Sequence, residues 1–360
     1  MKEKKPAKKK NNNNNNNNIS KEYKSLKDKY DSLLNKLFIC CLILTAVGIF
    51  YLSKGVGEFR KTLLSLKQDY EFSKFEDFKI CTILISLISI FKYCAQKFLV
   101  IFCSKIMKKK FREPKNEDER KFSEQIKKKL SMHCYKCFMY LFLSVFGYYI
   151  LKDITFFPKS LLGHGRLQNM FINGYPQSFF FYKPPLFDFY YMFCLSYFTS
   201  DLIWLLFINE RQTDFVDMLL HHSCTISLII FSHLTHYSNV GSIILLLHME
   251  SDIFVHLTRI FLRTDVMEII KDISGLILVF NFIYMRIYVL GEIIYVLYTY
   301  VTWKGTVDWF LLILLVMIYI LHINWTIVLI QKMFGMFSGI KLTDNSVIKN
   351  DINNNKIKDN

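Results

Sequence analysis

An all-α, polytopic bundle of about eight membrane-spanning helices is the fold this sequence predicts, on three observations. Hydrophobic residues make up 52% of the 360-residue chain and aromatics 16%, and they gather in apolar runs long enough to cross a bilayer core about 30 Å thick. Charged residues, 21% in all, are segregated into the first 36 residues, the stretch from Ser104 to Leu130 and the last 20 residues. Prolines fall outside the apolar runs. The net charge of +16 would suit nucleic acid, but the basic residues flank the runs, where topology signals and headgroup contacts lie.

Residues 1–36 are Lys-rich and hold eight consecutive Asn, a composition that cannot bury a core and predicts a disordered cytosolic tail. Residues 37–119 carry two expected spans, about Leu37–Ser53 and Ile80–Cys103, and a basic cytosolic loop. The first run starts too late for a cleavable signal, so it reads as a retained start-transfer helix. Six further spans are expected near Tyr135–Leu151, Leu186–Ile208, Phe215–Leu234, Val240–Leu262, Ile273–Tyr298 and Trp309–Phe334. Lys152 to Pro185, with Pro158, Pro176, Pro184 and Pro185, reads as an ordered loop on the membrane surface. Residues 339–360 are a second polar tail.

Lysine excess orients the chain. The first 36 residues hold 11 Lys against four acids, and Ser104 to Cys134 holds 11 Lys or Arg against five; the segment between, Lys54 to Lys79, is nearly balanced. Both basic segments, and both termini, are therefore expected in the cytosol. Most of the nine cysteines lie inside apolar runs and read as small apolar residues. His133, Cys134 and Cys137 lack the second pair a zinc site needs and read as packing.

Ionisable residues within spans are costly and usually line a cavity or a functional site. They concentrate in two consecutive spans, one reading Asp217-Met-Leu-Leu-His221-His222-Ser-Cys-Thr225, the next His248-Met-Glu250-Ser-Asp252-Ile-Phe-Val-His256-Leu-Thr-Arg259. His248, Asp252, His256 and Arg259 fall at helical spacing on one polar stripe, with Glu250 turned away from it. The very short linker makes the two helices antiparallel neighbours, so His221 and His222 are expected to face Asp252 and His248. A carboxylate behind an imidazole fixes its tautomer and suits it to act as a base. Mutual satisfaction of the polar groups is the bland alternative. A metal site is a third reading, against which stands the lack of HExxH-like spacing, and no metal is expected. A closed bundle with a long apolar tunnel opening to the cytosol completes the expectation.

The stretch from Asp214 through His221 and His222, then Gly241 to His248, then Ser251-Asp252, resembles the Lag1 motif of ceramide synthases, within the TRAM-Lag1-CLN8 membrane domain. Lys121-Phe-Ser-Glu124, Asn173-Gly-Tyr-Pro176, Phe280-Asn-Phe-Ile-Tyr-Met-Arg286 and Leu321-His322-Ile-Asn-Trp325 resemble further parts of that domain in the same order, over about residues 120–338. Met249 stands where the family carries its first acidic residue, and His256 where it carries a Glu. The resemblance implies a sphingosine N-acyltransferase of the endoplasmic reticulum, moving a fatty acyl group from acyl-CoA to the amine of a sphingoid base. It implies His221, His222 and Asp252 as catalytic, with His248, Glu250, His256, Arg259, Arg286 and Asp217 binding substrate or supporting. No cofactor is implied beyond acyl-CoA as co-substrate; membrane lipids and a homodimeric or heterodimeric partner are, and nucleic acid is not. A non-enzymatic member of the same domain, acting in lipid sensing, transport or translocation, is the alternative, and a channel or carrier built from broken helices is disfavoured by the placement of the prolines.

Overall fold

The computed structural model describes residues 76–106, 117–170, 184–209, 214–235, 237–264, 266–300 and 306–337. The basic tails, the expected first span, the charged stretch 107–116 and the Asn173–Pro176 motif lie outside the described residues.

Seven helices among the described residues are long and apolar enough to cross a membrane. They are α1 Glu76–Ile106, α2 Glu117–Leu151, α3 Phe187–Phe207, α4 Phe215–Leu234, α5 Ser238–Arg263, α6 Glu268–Tyr300 and α7 Thr306–Phe337. Every backbone polar group inside a bilayer must be paired within its own segment, so apolar runs of this length fold as helices. The chain is therefore an all-α, multi-pass membrane bundle. The third expected span is longer than its apolar part, because α2 runs unbroken from the charged Glu117 into the membrane.

Successive helices alternate in direction, so the bundle has two ends. One holds Phe207, Phe215, Arg263 and Glu268, and is called the Arg263 end; the other holds Leu151, Phe187, Leu234 and Ser238, and is called the Leu234 end. Only 11% of the apolar window of α1 is buried, against 61% for α3 and 56% for α5. Helix α1 is thus the lipid-facing flank, and α3 and α5 form the interior. The expected pairing of α4 with α5 exists, but the most extensive packing of α5 is against α2.

Without a hydrophobic driving force between helices in lipid, close packing and polar contacts hold such a bundle. Tyr190 and Tyr191 of α3 are fully buried. Each lies against a glycine, Tyr190 over Gly147 of α2 and Tyr191 over Gly241 of α5, where any Cβ would run into the phenol oxygen. The Tyr190 hydroxyl donates to the Met249 sulfur at 3.7 Å. The segment after α2 folds over the Leu234 end through two short 3₁₀ turns, Lys159–Leu161 and Leu167–Met170, and buries Phe156, Phe157, Leu161, Leu167 and Met170. Residues 171–183 of the expected surface loop lie outside the described residues.

Helix α6 contains a π-helical stretch, Ile283–Val289. Such wide turns are frequent at functional sites, and this one carries Arg286.

Candidate active site

Arg286 is 1% exposed and is the hub of the interior. Its Nε donates to Ser251 Oγ at 2.6 Å, Nη1 to His322 Nε2 at 2.8 Å, and Nη2 to the His248 carbonyl at 3.0 Å and to Asp252 Oδ1 at 2.5 Å. Three helices, α5, α6 and α7, are thereby tied to one guanidinium. The planar fork suits this work, since it presents five donors in fixed directions and no acceptor. Phe282 packs against the same guanidinium, 5.2 Å from its ring centroid.

Against this hub stand three buried imidazoles. The ring of His221 lies 6.1 Å from that of His248 and 5.8 Å from that of His322, and His248 and His322 are 4.9 Å apart. Trp325 closes the group, 5.3 Å from His221. Hydrogen bonding assigns two tautomers. A guanidinium only donates, so His322 Nε2 accepts and its proton is on Nδ1. A carbonyl only accepts, so His248 Nδ1 donates to the Ile244 carbonyl at 2.6 Å. Neutral His248 therefore offers a bare Nε2 lone pair, and that atom meets no protein partner. His221 Nδ1, His222 Nδ1 and His322 Nδ1 are likewise buried without a hydrogen bond.

The paired histidines do not share one face. Neighbours on a helix are about 100° apart. His221 turns toward α5 and α7, while His222 turns toward α3, its ring 6.2 Å from Phe198. One turn beyond Phe198, Asp201 is buried between two lysines, 2.6 Å from Lys92 Nζ of α1 and 2.7 Å from Lys136 Nζ of α2. Lys92 also sits over the Trp204 ring at 4.6 Å.

The polar stripe on α5 is real as a row, but its members have separate partners. Asp252 does not back the histidine pair as the spacing suggested; it neutralises Arg286, which reaches it first from α6. His256 lies about 12 Å along the helix from His248 at 1.5 Å per residue. There it meets His133 of α2, Nδ1 to Nδ1 at 3.0 Å, with Tyr140 stacked on it at 5.4 Å. That contact gives His133 a packing role, and Cys134 and Cys137 are in no disulfide among the described residues. Arg259 is 3.8 Å from Asp214 at the half-exposed Arg263 end. Glu250 is half-buried on the other side of α5. Asp217 is in the first turn of α4, where a carboxylate suits the helix dipole. Met249 is fully buried against Tyr190.

An apolar cavity with about 690 Å³ of open space, its mouth included, runs from His248 and Thr225 along α4, α5 and α7 to Tyr237 and Asp308. It extends toward the Leu234 end. The imidazoles, Trp325 and the Arg286 cluster lie on the Arg263 side of His248. Among the described residues no group of three or more His, Cys, Asp or Glu is arranged to hold a metal ion.

Sequence reading did not place four residues in the site: His322, quoted only within a motif, and Lys92, Lys136 and Asp201. The signal was present, since each is an ionisable residue within or beside an apolar run. Trp325 carried no such signal.

The family model for the TLC domain matches residues 129–331. The chain belongs to the TLC-domain family. Among curated proteins this TLC-domain chain is similar to ceramide synthase 1 LOH3 of Arabidopsis thaliana, 32% identical over 97 residues, 27% of this chain and 31% of that protein. It is similar to sphingosine N-acyltransferase lag1 of Schizosaccharomyces pombe, 24% identical over 226 residues, 58% of this chain and 54% of the relative. It is also similar to human ceramide synthase 4, 25% identical over 233 residues, 62% and 54%. The matched stretches thus span under a third of the plant protein and about half of the other two. All the interior residues described above except Lys92, which α1 supplies, lie within the family match.

Proposed function

We propose that this TLC-domain protein is a ceramide synthase-like N-acyltransferase that moves a fatty acyl group from acyl-CoA to the amine of a sphingoid base. The observation that carries the reading is His248, which lines the inner end of an apolar cavity and keeps a bare, unpartnered Nε2, with His221 against it. The cavity is lined mainly by apolar side chains, and such walls suit an alkyl chain. The amine nitrogen attacks the thioester carbonyl carbon, a C–N bond forms and the C–S bond breaks. The proton lost by the amine passes to an imidazole and then to the departing thiolate. A positioned base contributes about 10²- to 10⁴-fold, and His248 and His221 are the rings placed for it. His322 and Arg286 are positioning residues, holding the ring plane and the α5 backbone.

Endoplasmic reticulum residence and cytosolic termini belong to the same proposal; the lysine distribution supports the orientation. In this orientation the Arg263 end is cytosolic, and glycosylation acceptors inserted near Leu167 should be modified while those near Lys115 stay bare. Modification near Lys115 would invert the assignment.

Met249, apolar and buried at the family's acidic position, favours a second reading: a non-enzymatic member that holds a lipid chain in the cavity. Purified protein incubated with acyl-CoA and sphinganine decides between them. Ceramide formation that is lost in His221→Ala supports the transferase; lipid binding with no ceramide from any pair tried supports the second reading.

A further inference from the structure

Many serine and threonine hydroxyls in these helices turn back onto their own helix. Ser196, Thr199, Ser232, Thr235 and Thr326 each donate to the carbonyl four residues earlier, at 2.5–2.8 Å. In an apolar medium this satisfies a hydroxyl that would otherwise cost free energy.

Thr225 departs from that pattern. It is 7% exposed, one turn after His221 on α4, and its Oγ1 has no hydrogen-bond partner. It lines the same cavity as His248, whose Nε2 is also without a partner. Two residues that line the inner end of this cavity therefore carry buried, unpartnered polar atoms of complementary kind. One is a bare lone pair, able only to accept in the neutral ring. The other is a hydroxyl with a proton to give.

The two match the two polar atoms that meet in the proposed acyl transfer, on which this inference rests. The attacking amine must give up a proton, and the thioester carbonyl oxygen gains charge as its carbon becomes tetrahedral. We propose that Thr225 Oγ1 donates a hydrogen bond to the thioester carbonyl oxygen, binding it in the ground state and more strongly as the oxyanion forms. The acyl chain then lies along the apolar walls toward Tyr237 and Asp308. Whichever nucleophile attacks, the carbonyl oxygen is in the same place, so the role holds for direct transfer and for an acyl-imidazole route alike.

Thr225→Val removes the hydroxyl at nearly constant shape, and Thr225→Ser keeps it. Loss of one oxyanion donor costs about 10²- to 10³-fold in kcat. Thr225→Val is expected to lose that much kcat with only a several-fold rise in KM for acyl-CoA, and Thr225→Ser to stay within about tenfold of wild type. A second readout does not depend on turnover: the infrared carbonyl stretch of bound acyl-CoA labelled at the thioester carbon. It should lie at lower frequency in the wild type and in Thr225→Ser than in Thr225→Val. If the wild type turns over and Thr225→Val matches it in kcat, the assignment of Thr225 falls while the transferase reading stands. If no ceramide forms yet the stretch shifts with the hydroxyl, Thr225 is a carbonyl ligand and the transferase reading falls. If neither turnover nor stretch depends on the hydroxyl, the assignment of Thr225 is overturned.

Discussion

Arg286→Met tests whether one guanidinium organises the interior. The wild-type side chain makes four hydrogen bonds, at 2.5 to 3.0 Å, to groups on α5 and α7. Taken singly, bonds to a charged donor are worth about 1.5–3 kcal/mol each, but their sum overstates the loss because the partners share one anchor. The larger consequence is Asp252, whose side chain is only 17% exposed and would lose its counter-charge. Breaking a buried pair by removing one partner costs about 3–5 kcal/mol. At about 2 °C per kcal/mol for a chain of this size, melting in detergent should fall by about 6–10 °C. Adding Asp252→Asn to Arg286→Met removes the stranded charge and should recover about half of that loss. Arg286→Lys keeps the charge without the fork, so it should melt closer to wild type yet lose acyl transfer, because His322 and the His248 backbone are no longer held together. The reasoning is refuted if Arg286→Met melts within 2 °C of wild type, or if Asp252→Asn deepens the loss.

Two further outcomes follow from the same interior. Asp201→Asn leaves Lys92 and Lys136 facing each other with side chains 1% and 11% exposed, and should cost about 3–5 kcal/mol. Lys92→Met leaves the Asp201–Lys136 pair intact and should cost less than half as much; equal melting losses would remove the pairing argument. Met249→Asp places a carboxylate at a site with no exposure, beside the Tyr190 hydroxyl. Several kcal/mol of destabilisation is expected, not the gain in turnover that restoring the family's residue suggests, and a more active, equally stable variant would contradict that.

The helices were legible because their signal is length: a run of about 20 apolar residues has one stable form in lipid. The described spans match those runs to within a few residues, apart from α2, whose charged first turns hid its true start. The candidate site was legible as composition, since ionisable residues in spans stand out, but its pairings were not. Asp252 and His221 lie on neighbouring helices, and sequence spacing fixes only which face of α5 Asp252 occupies. It could not show that Arg286, presented by the π-helical stretch of α6, takes that carboxylate. Likewise the adjacency of His221 and His222 disguised their divergence, which follows from the 100° step of the helix. His322 sat alone in the most apolar helix, and only tertiary contact reveals that it completes the imidazole group. The direction of the cavity depends on which end the bulky aromatic and imidazole rings fill, and that is a property of packing.

The most direct test of the account is ceramide formation by the purified protein from acyl-CoA and sphinganine, compared across wild type, His221→Ala, His222→Ala and His248→Ala, with folding checked by melting. The account predicts N-acyl product from the wild type and at least 10²-fold less from His221→Ala and His248→Ala at unchanged folding. A wild type that forms product and a His248→Ala variant that keeps pace with it would contradict the site as drawn. A folded wild type that binds acyl-CoA and forms no product with any sphingoid base would contradict the activity itself.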